Sequence, residues 1–361
     1  MYINLQTKLL IKHIISNFIH EIVQPVMNKK QRFEALLNGT LPAGEILFYP
    51  ILMHFAARFN GNSYGEFASD HRVLAESNIK CLDYFDMDMV SLISDPYRET
   101  AAFGAPIEFI PEGVPVCRKH IVETIDDVIN LPVPDIYKNA RTLDRIKGAD
   151  YFQQRLKGTV PVMGWIEGPL AEACDLAGVS EMLLMLMIDE DFCNRLMDKC
   201  MIVAKKFANA QIDAGCDIIG IGDAICSQID EETYKRFVKP RHKELIQYIK
   251  SRGAKVKLHI CGNTTHLLKQ IAKLSPDIFD PDYLVDQMVC SEILGKNVVR
   301  SGNINPVFIQ NASGEELLKV CNEAIGAEKG KKFILSAGCE ITVNTPVRNL
   351  LVMSESRIST S

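Results

Sequence analysis

The chain has 361 residues, 47% of them apolar and 24% charged, a balance that excludes global disorder because enough surface can be buried to offset the ordering entropy. Its net charge of −5 argues against a nucleic-acid binder, which needs a basic face to meet phosphate. No run of 18 uncharged apolar residues occurs, so no membrane span is expected.

Residues 1–26 hold an apolar stretch broken by Lys12, His13, His20 and Glu21, with no small-residue cleavage site after it. They read as an extension of the reading frame or a peripheral helix, and a single domain is expected over 27–361. Met27 opens an amphipathic helix ending at Gly39. From there short β-rich runs alternate with helical stretches. The runs are 45–52, 88–94, 160–167, 217–223, 255–261, 278–285, 297–303 and 331–339, bounded by Gly, Pro or Asp. The segment 104–158, rich in proline, reads as an irregular excursion. Residues 180–213 read as two helices joined near Asp189, with Met182, Met185 and Met187 as core. The stretch 230–251 has Asp230 as N-cap and Pro240 as a kink or break. Eight strands alternating with helices predict a (β/α)8 TIM barrel, with a doubly wound open sheet as the alternative.

Eleven cysteines at wide spacing, an odd count with no C-x-x-C, point to free thiols in a reducing, cytoplasmic compartment. Cys81, Cys193, Cys200, Cys216 and Cys321 lie in apolar context and read as small buried hydrophobes. His54, His71, His120 and His242 lack metal-ligand spacing and read as surface or internally satisfied histidines. Gly220-x-Gly222 is a partial dinucleotide fingerprint without its third glycine, so nucleotide binding is rejected.

In such a barrel the active site lies at the C-terminal strand ends. Those ends carry Asp95, Glu167, Asp223, His259, Cys261, Asn263, Asp282, Asn303 and Cys339. His259 and Cys261 share one strand face, because side chains repeat every second residue. Cys339 follows a glycine at the end of the last strand and can reach the same axial point. One imidazole and two thiolates suit Zn²⁺, and three protein ligands leave the exchangeable position of a catalytic site. Glu167, Asp223, Asp282 and Asp286 are the nearby carboxylates for a fourth position, Glu167 first. Asp95, Glu167 and Asp223 are the expected catalytic groups; Asn263, Asp282 and Asn303 are expected to contact cofactor.

Across residues 27–355 the sequence resembles the uroporphyrinogen decarboxylase superfamily. The segments that carry the likeness are 95–109, GWIEGPL (164–170), DAGCDIIGIGDA (213–224), LHICGNTTHLL (258–268), GNINP (302–306) and 334–350. Within it the match is to the zinc- and corrinoid-dependent methyltransferase branch, whose His-x-Cys…Cys motif aligns with His259, Cys261 and Cys339. Decarboxylases of the superfamily carry an R-x-x-x-R segment after the first strand; here residues 49–61 hold Arg58 alone. The resemblance implies one zinc and methyl transfer involving methylcobalamin or another corrinoid. The D-x-H-x-x-G cobalamin loop is absent, with Lys257 two positions before His259, so the corrinoid is expected on a partner protein. The other substrate is expected to be a small methyl donor or acceptor. A metal-free decarboxylase and a non-catalytic carrier are the competing readings.

Overall fold

The computed structural model describes residues 27–357, so the expectation for residues 1–26 lies outside the described residues. Ten strands occur in chain order: β1 (Leu47–Phe48), β2 (Val90–Ser91), β3 (Ile107–Glu108), β4 (Val116–Cys117), β5 (Val162–Glu167), β6 (Ile218–Gly222), β7 (Lys255–Ile260), β8 (Ile278–Pro281), β9 (Val299–Ser301) and β10 (Phe333–Leu335). Eight of them form one parallel sheet in the order β1-β10-β9-β8-β7-β6-β5-β2. Each of the eight expected runs contributes one strand, and the fold is the (β/α)8 barrel. Strands such as β6, IIGIG, are buried along their whole length, as parallel strands covered on both faces must be.

The two end strands meet at a seam held by Asp88. Its backbone N–H donates to the Phe48 carbonyl at 2.9 Å, and its carboxylate accepts from Phe48 N–H at 2.7 Å. Arg32 and Arg357 donate to the same carboxylate at 2.7 and 2.8 Å. One fully buried aspartate thus ties β1, β2, the first described helix and the last one.

The helices follow the sequence closely. Lys29–Asn38 ends at Gly39, whose φ of 71° is the left-handed cap glycine tolerates. Val179–Ile188 and Glu190–Asp213 are separated by Asp189, whose side chain accepts from Phe192 N–H. At Pro240 the chain does not break. A π turn over Tyr234–Val238 absorbs the missing donor before the helix Lys239–Ser251 continues. Asp230 caps the start of this run, accepting from Glu232 and Thr233 N–H.

Two expectations are corrected. The segment 104–158 is not irregular throughout: β3 and β4 form a hairpin, and Ala140–Leu156 is a 17-residue helix capped by Asn139. The prolines all lie before that helix, the last at Pro134. Met187 is 84% exposed rather than core, because the apolar helix Val179–Ile188 buries one side only. Cys81, Cys193, Cys200, Cys216 and Cys321 are buried, and all eleven cysteines are free. Among the described residues no helix is long and apolar enough to cross a membrane.

Candidate metal centre

The register of β5 to β8 builds the site. Glu167, Gly222, His259 and Asp280 are lateral neighbours in one row at the C-terminal end of the barrel. With strands about 4.8 Å apart, the backbones of Glu167 and His259 stand roughly 10 Å apart. The Trp165 indole fills the space between them: a Cβ on Gly220 would lie 2.2 Å from its ring, and its centroid is 6.4 Å from that of His259. The Gly220-x-Gly222 pair therefore makes room for a tryptophan.

His259 Nε2 lies 3.0 Å from Cys261 Sγ, and Cys261 Sγ lies 3.8 Å from Cys339 Sγ. The three ligand atoms are all within 4.8 Å of one another. Two glycines permit this. Gly262 turns the chain after Cys261 with φ 86°. At Gly338 a Cβ would fall 2.3 Å from the Tyr283 backbone nitrogen, so only glycine lets the last strand's loop pass beneath the β8 loop and deliver Cys339.

The donor set fits zinc. Tetrahedral bonds of about 2.3 Å to sulfur set two thiolates about 3.8 Å apart, and about 3.6 Å is expected between nitrogen and sulfur. The sulfurs already meet the first distance; the imidazole–Cys261 distance of 3.0 Å has to open by roughly half an ångström. The Cys339 thiol is pulled down to about 5 by the hydrogen bond from Cys261, with His259 adding to the effect, while Cys261 is pushed up by the same bond.

The strand-end carboxylates do not join this group. Glu167 accepts from Arg98 Nη2 at 2.9 Å. Burial pushes its carboxyl well above the usual range, and Arg98 does not offset this. Asp95 is occupied by Arg141, Ser94 and the Tyr97 N–H at 2.6, 2.6 and 3.1 Å. Burial raises it, but Arg141 and Arg98 outweigh that and hold it below the usual carboxylate range. Asp223 accepts from Leu170 and Ala171 N–H at 3.4 and 2.8 Å, capping the helix Pro169–Ala177 from outside. It also pairs with His242 Nε2 at 2.9 Å, and His242 Nδ1 meets the Tyr234 hydroxyl. His242 is therefore a satisfied core histidine. The close approach of Asp223 requires Gly168, where a Cβ would clash at 2.4 Å.

Asn303 Nδ2 donates to the carbonyls of Asp282 and Val285 at 2.9 and 2.7 Å, fastening the loop that lies over Gly338. Asp282 accepts from Leu284 N–H within that loop. Asn263 is exposed and accepts from Thr265 N–H. Asp286 caps the next helix, Gln287–Leu294.

Several residues at this end were missed by sequence reasoning. Arg98 and Arg145 are buried cations and Arg141 a half-buried one among the mouth carboxylates, so that rim is not purely acidic. Glu99 and Glu172, with the half-buried Asp175, form an acid group behind Glu167, each pushed up chiefly by loss of solvent. Asp280 lies beside His259, with its Oδ2 2.7 Å from Lys257 Nζ. A usable signal existed for Lys257: a lysine two positions before an inward histidine on a buried strand must have a counter-charge nearby.

Known proteins share this architecture. The chain is 27% identical over 303 residues to a uroporphyrinogen decarboxylase of Geobacter sulfurreducens, covering 80% of this chain and 85% of that protein. It is 27% identical over 242 residues to the methylcobamide:CoM methyltransferase MtbA of Methanosarcina acetivorans, covering 66% of this chain and 69% of the other. A solved methyltransferase from Methanosarcina mazei superposes with a TM-score of 0.84 at 20% identity, over 92% of this chain and 99% of that one, a likeness of fold. The sequence profile described as uroporphyrinogen decarboxylase (URO-D) matches residues 28–359, and the chain belongs to that family.

Proposed function

We propose that this protein is a zinc-dependent methyltransferase moving a methyl group between a corrinoid on a partner protein and a small thiol, folate or methylated substrate. The observation that carries the reading is the convergence of the ligand atoms of His259, Cys261 and Cys339 within 4.8 Å of one another, with the two sulfurs 3.8 Å apart. Similarity to a methylcobamide:CoM methyltransferase supports it. Zinc held there supplies Lewis acidity that favours the nucleophilic thiolate form of a thiol substrate at neutral pH. The chain's own residues do the rest. Cys261 and Cys339 donate as thiolates, so the centre carries little net charge and a bound sulfur keeps its nucleophilicity. Trp165 walls one side of the site. Glu167, in the same row as His259 and held by Arg98, is placed to hydrogen-bond a substrate heteroatom at the mouth. Asp95 and Asp223, expected from sequence to be catalytic, have their oxygens engaged by neighbours and hold the frame of the mouth. Asp282 and Asn303 shape the loop that a large cofactor meets on approach, and Asn263 stands exposed beside it. A cytoplasmic setting accords with eleven free cysteines.

The competing reading is metal-free decarboxylation of a porphyrinogen, favoured by similarity to the Geobacter enzyme. The mouth arginines are cations that a polycarboxylate could use, but Arg98 already faces Glu167 and Arg141 already faces Asp95. The deciding assay offers methylcobalamin with a panel of thiols, folates and methylated compounds, and uroporphyrinogen in parallel, with zinc content measured. Methyl transfer that depends on zinc supports the reading; porphyrinogen turnover at a comparable rate overturns it.

A further inference from the structure

The side chain that organises the imidazole of the metal group lies one strand away. Asp280 is the lateral partner of His259 in the β7–β8 register. His259 Nδ1 is 3.0 Å from the Asp280 backbone carbonyl and 3.4 Å from its Oδ2. A carbonyl and a carboxylate can only accept, so Nδ1 carries a hydrogen, and Nε2, aimed at Cys261, is the ring atom left to offer a lone pair to a metal.

The carboxylate is fully buried, and a buried charge persists only when paired. Its partner is Lys257, one turn of the pleat below His259 on the same strand face, with Nζ 2.7 Å from Oδ2 and both side chains essentially without solvent exposure. The ammonium also stands 5.1 Å from the centre of the Tyr49 ring, whose face attracts a cation. Nothing in the barrel's packing requires an ion pair at this point; an apolar pair of similar volume would fill the space, usually without loss of stability.

We propose that Asp280, neutralised by Lys257, is a positioning residue that fixes the Nδ1–H tautomer and ring orientation of His259 and strengthens Nε2 as a metal donor. This rests on the metal reading of His259, Cys261 and Cys339. Carboxylates placed behind metal-bound histidines typically govern metal affinity by ten- to a hundredfold; because the backbone carbonyl shares the Nδ1–H here, about tenfold is the expected effect.

The test is zinc affinity by competition with a chromogenic chelator, read together with the visible spectrum of the Co²⁺-substituted protein. It uses wild type, Asp280→Asn, and the double variant Lys257→Met with Asp280→Leu, which removes carboxylate and ammonium together and keeps the core filled. Both variants are expected to bind zinc about tenfold more weakly than wild type and to show altered Co²⁺ bands, with the double variant's metal-free unfolding midpoint close to wild type. Wild type that binds zinc while both variants match it within about twofold, with unchanged Co²⁺ spectra, overturns this assignment and leaves the metal reading standing. Wild type that binds no zinc overturns both. Should Asp280→Asn fail to fold, the double variant decides alone.

Discussion

Cys261 and Cys339 are 78 residues apart in sequence, yet their sulfurs stand 3.8 Å apart across the barrel mouth, the separation of two thiolates on one tetrahedral zinc. The first prediction follows from it. Protein purified without chelator is expected to hold about one zinc per chain. Cys339→Ser and His259→Ala are each expected to lose the metal and methyl-transfer activity while far-UV circular dichroism stays near wild type. Metal analysis by atomic emission checks this, and wild-type occupancy near zero would falsify the assignment.

Gly338→Ala separates the route of the backbone from the ligands themselves. The new Cβ would fall 2.3 Å from the Tyr283 backbone nitrogen and 2.9 Å from its Cα, atoms that cannot swing aside. The last loop has to lift, taking Cys339 with it. A stability loss of roughly 1–3 kcal/mol is expected from such overpacking. Zinc affinity should fall although all three ligands remain. Unchanged affinity in a chelator competition would show that the loop has slack.

How much of this was legible in the sequence differs by kind of information. The strands were readable because a parallel barrel needs apolar runs closed by Gly, Pro or Asp, and β6 shows both. The metal group was readable because period-2 geometry makes His259 and Cys261 coincide without knowledge of the fold. Roles that depend on a partner from another element were not readable. Asp223 looked catalytic at its strand end, and only the packing of the helix Pro169–Ala177 beside it shows its oxygens engaged by N–H groups and His242. Arg141 lies 46 residues from Asp95, in a stretch expected to be irregular, so the neutralisation of that carboxylate had no local signature. Met187 was misplaced for a related reason: a helix apolar on all sides does not announce which side faces the core.

Asp88 offers a test of barrel closure at the end remote from the metal. It bridges β1 and β2 and takes hydrogen bonds from Arg32 and Arg357 while fully buried. Asp88→Ala would leave a void at the seam and take from Arg357, itself 5% exposed, one of its two carboxylate partners, the other being Asp86. Breaking a buried pair from one side typically costs about 3–5 kcal/mol. Urea unfolding is expected to show a loss of that order. Zinc content of the fraction still folded should be unchanged, because the seam and the metal group lie at opposite ends of the barrel. A loss under about 1 kcal/mol would mean that the backbone bond between Asp88 and Phe48 closes the ring unaided.

The acid group behind Glu167 predicts how stability varies with pH. Glu172 is buried, and its Oε1 has no hydrogen-bond partner. Burial, followed by Glu99, Asp175 and Glu167, pushes its carboxyl well above the ordinary 4.5. In the folded protein it therefore keeps a proton that the unfolded chain releases near its ordinary pKa. The native state binds more protons between those two values, so the contribution of Glu172 to stability falls as pH rises through that window. Below the unfolded value both states are protonated and nothing is lost. Glutamine cannot titrate, so Glu172→Gln should lack this slope. Relative to wild type, the variant should gain stability between pH 5 and pH 8, by about 1 kcal/mol or more, since each pKa unit corresponds to about 1.4 kcal/mol. Because Glu99 and Asp175 titrate with Glu172, the slope belongs to the group, and the substitution should also let those two ionise more readily. Urea midpoints measured at pH 5, 6, 7 and 8 for both proteins check this. A difference that stays constant across the series would mean that Glu172 releases its proton in the folded state as readily as in the unfolded one.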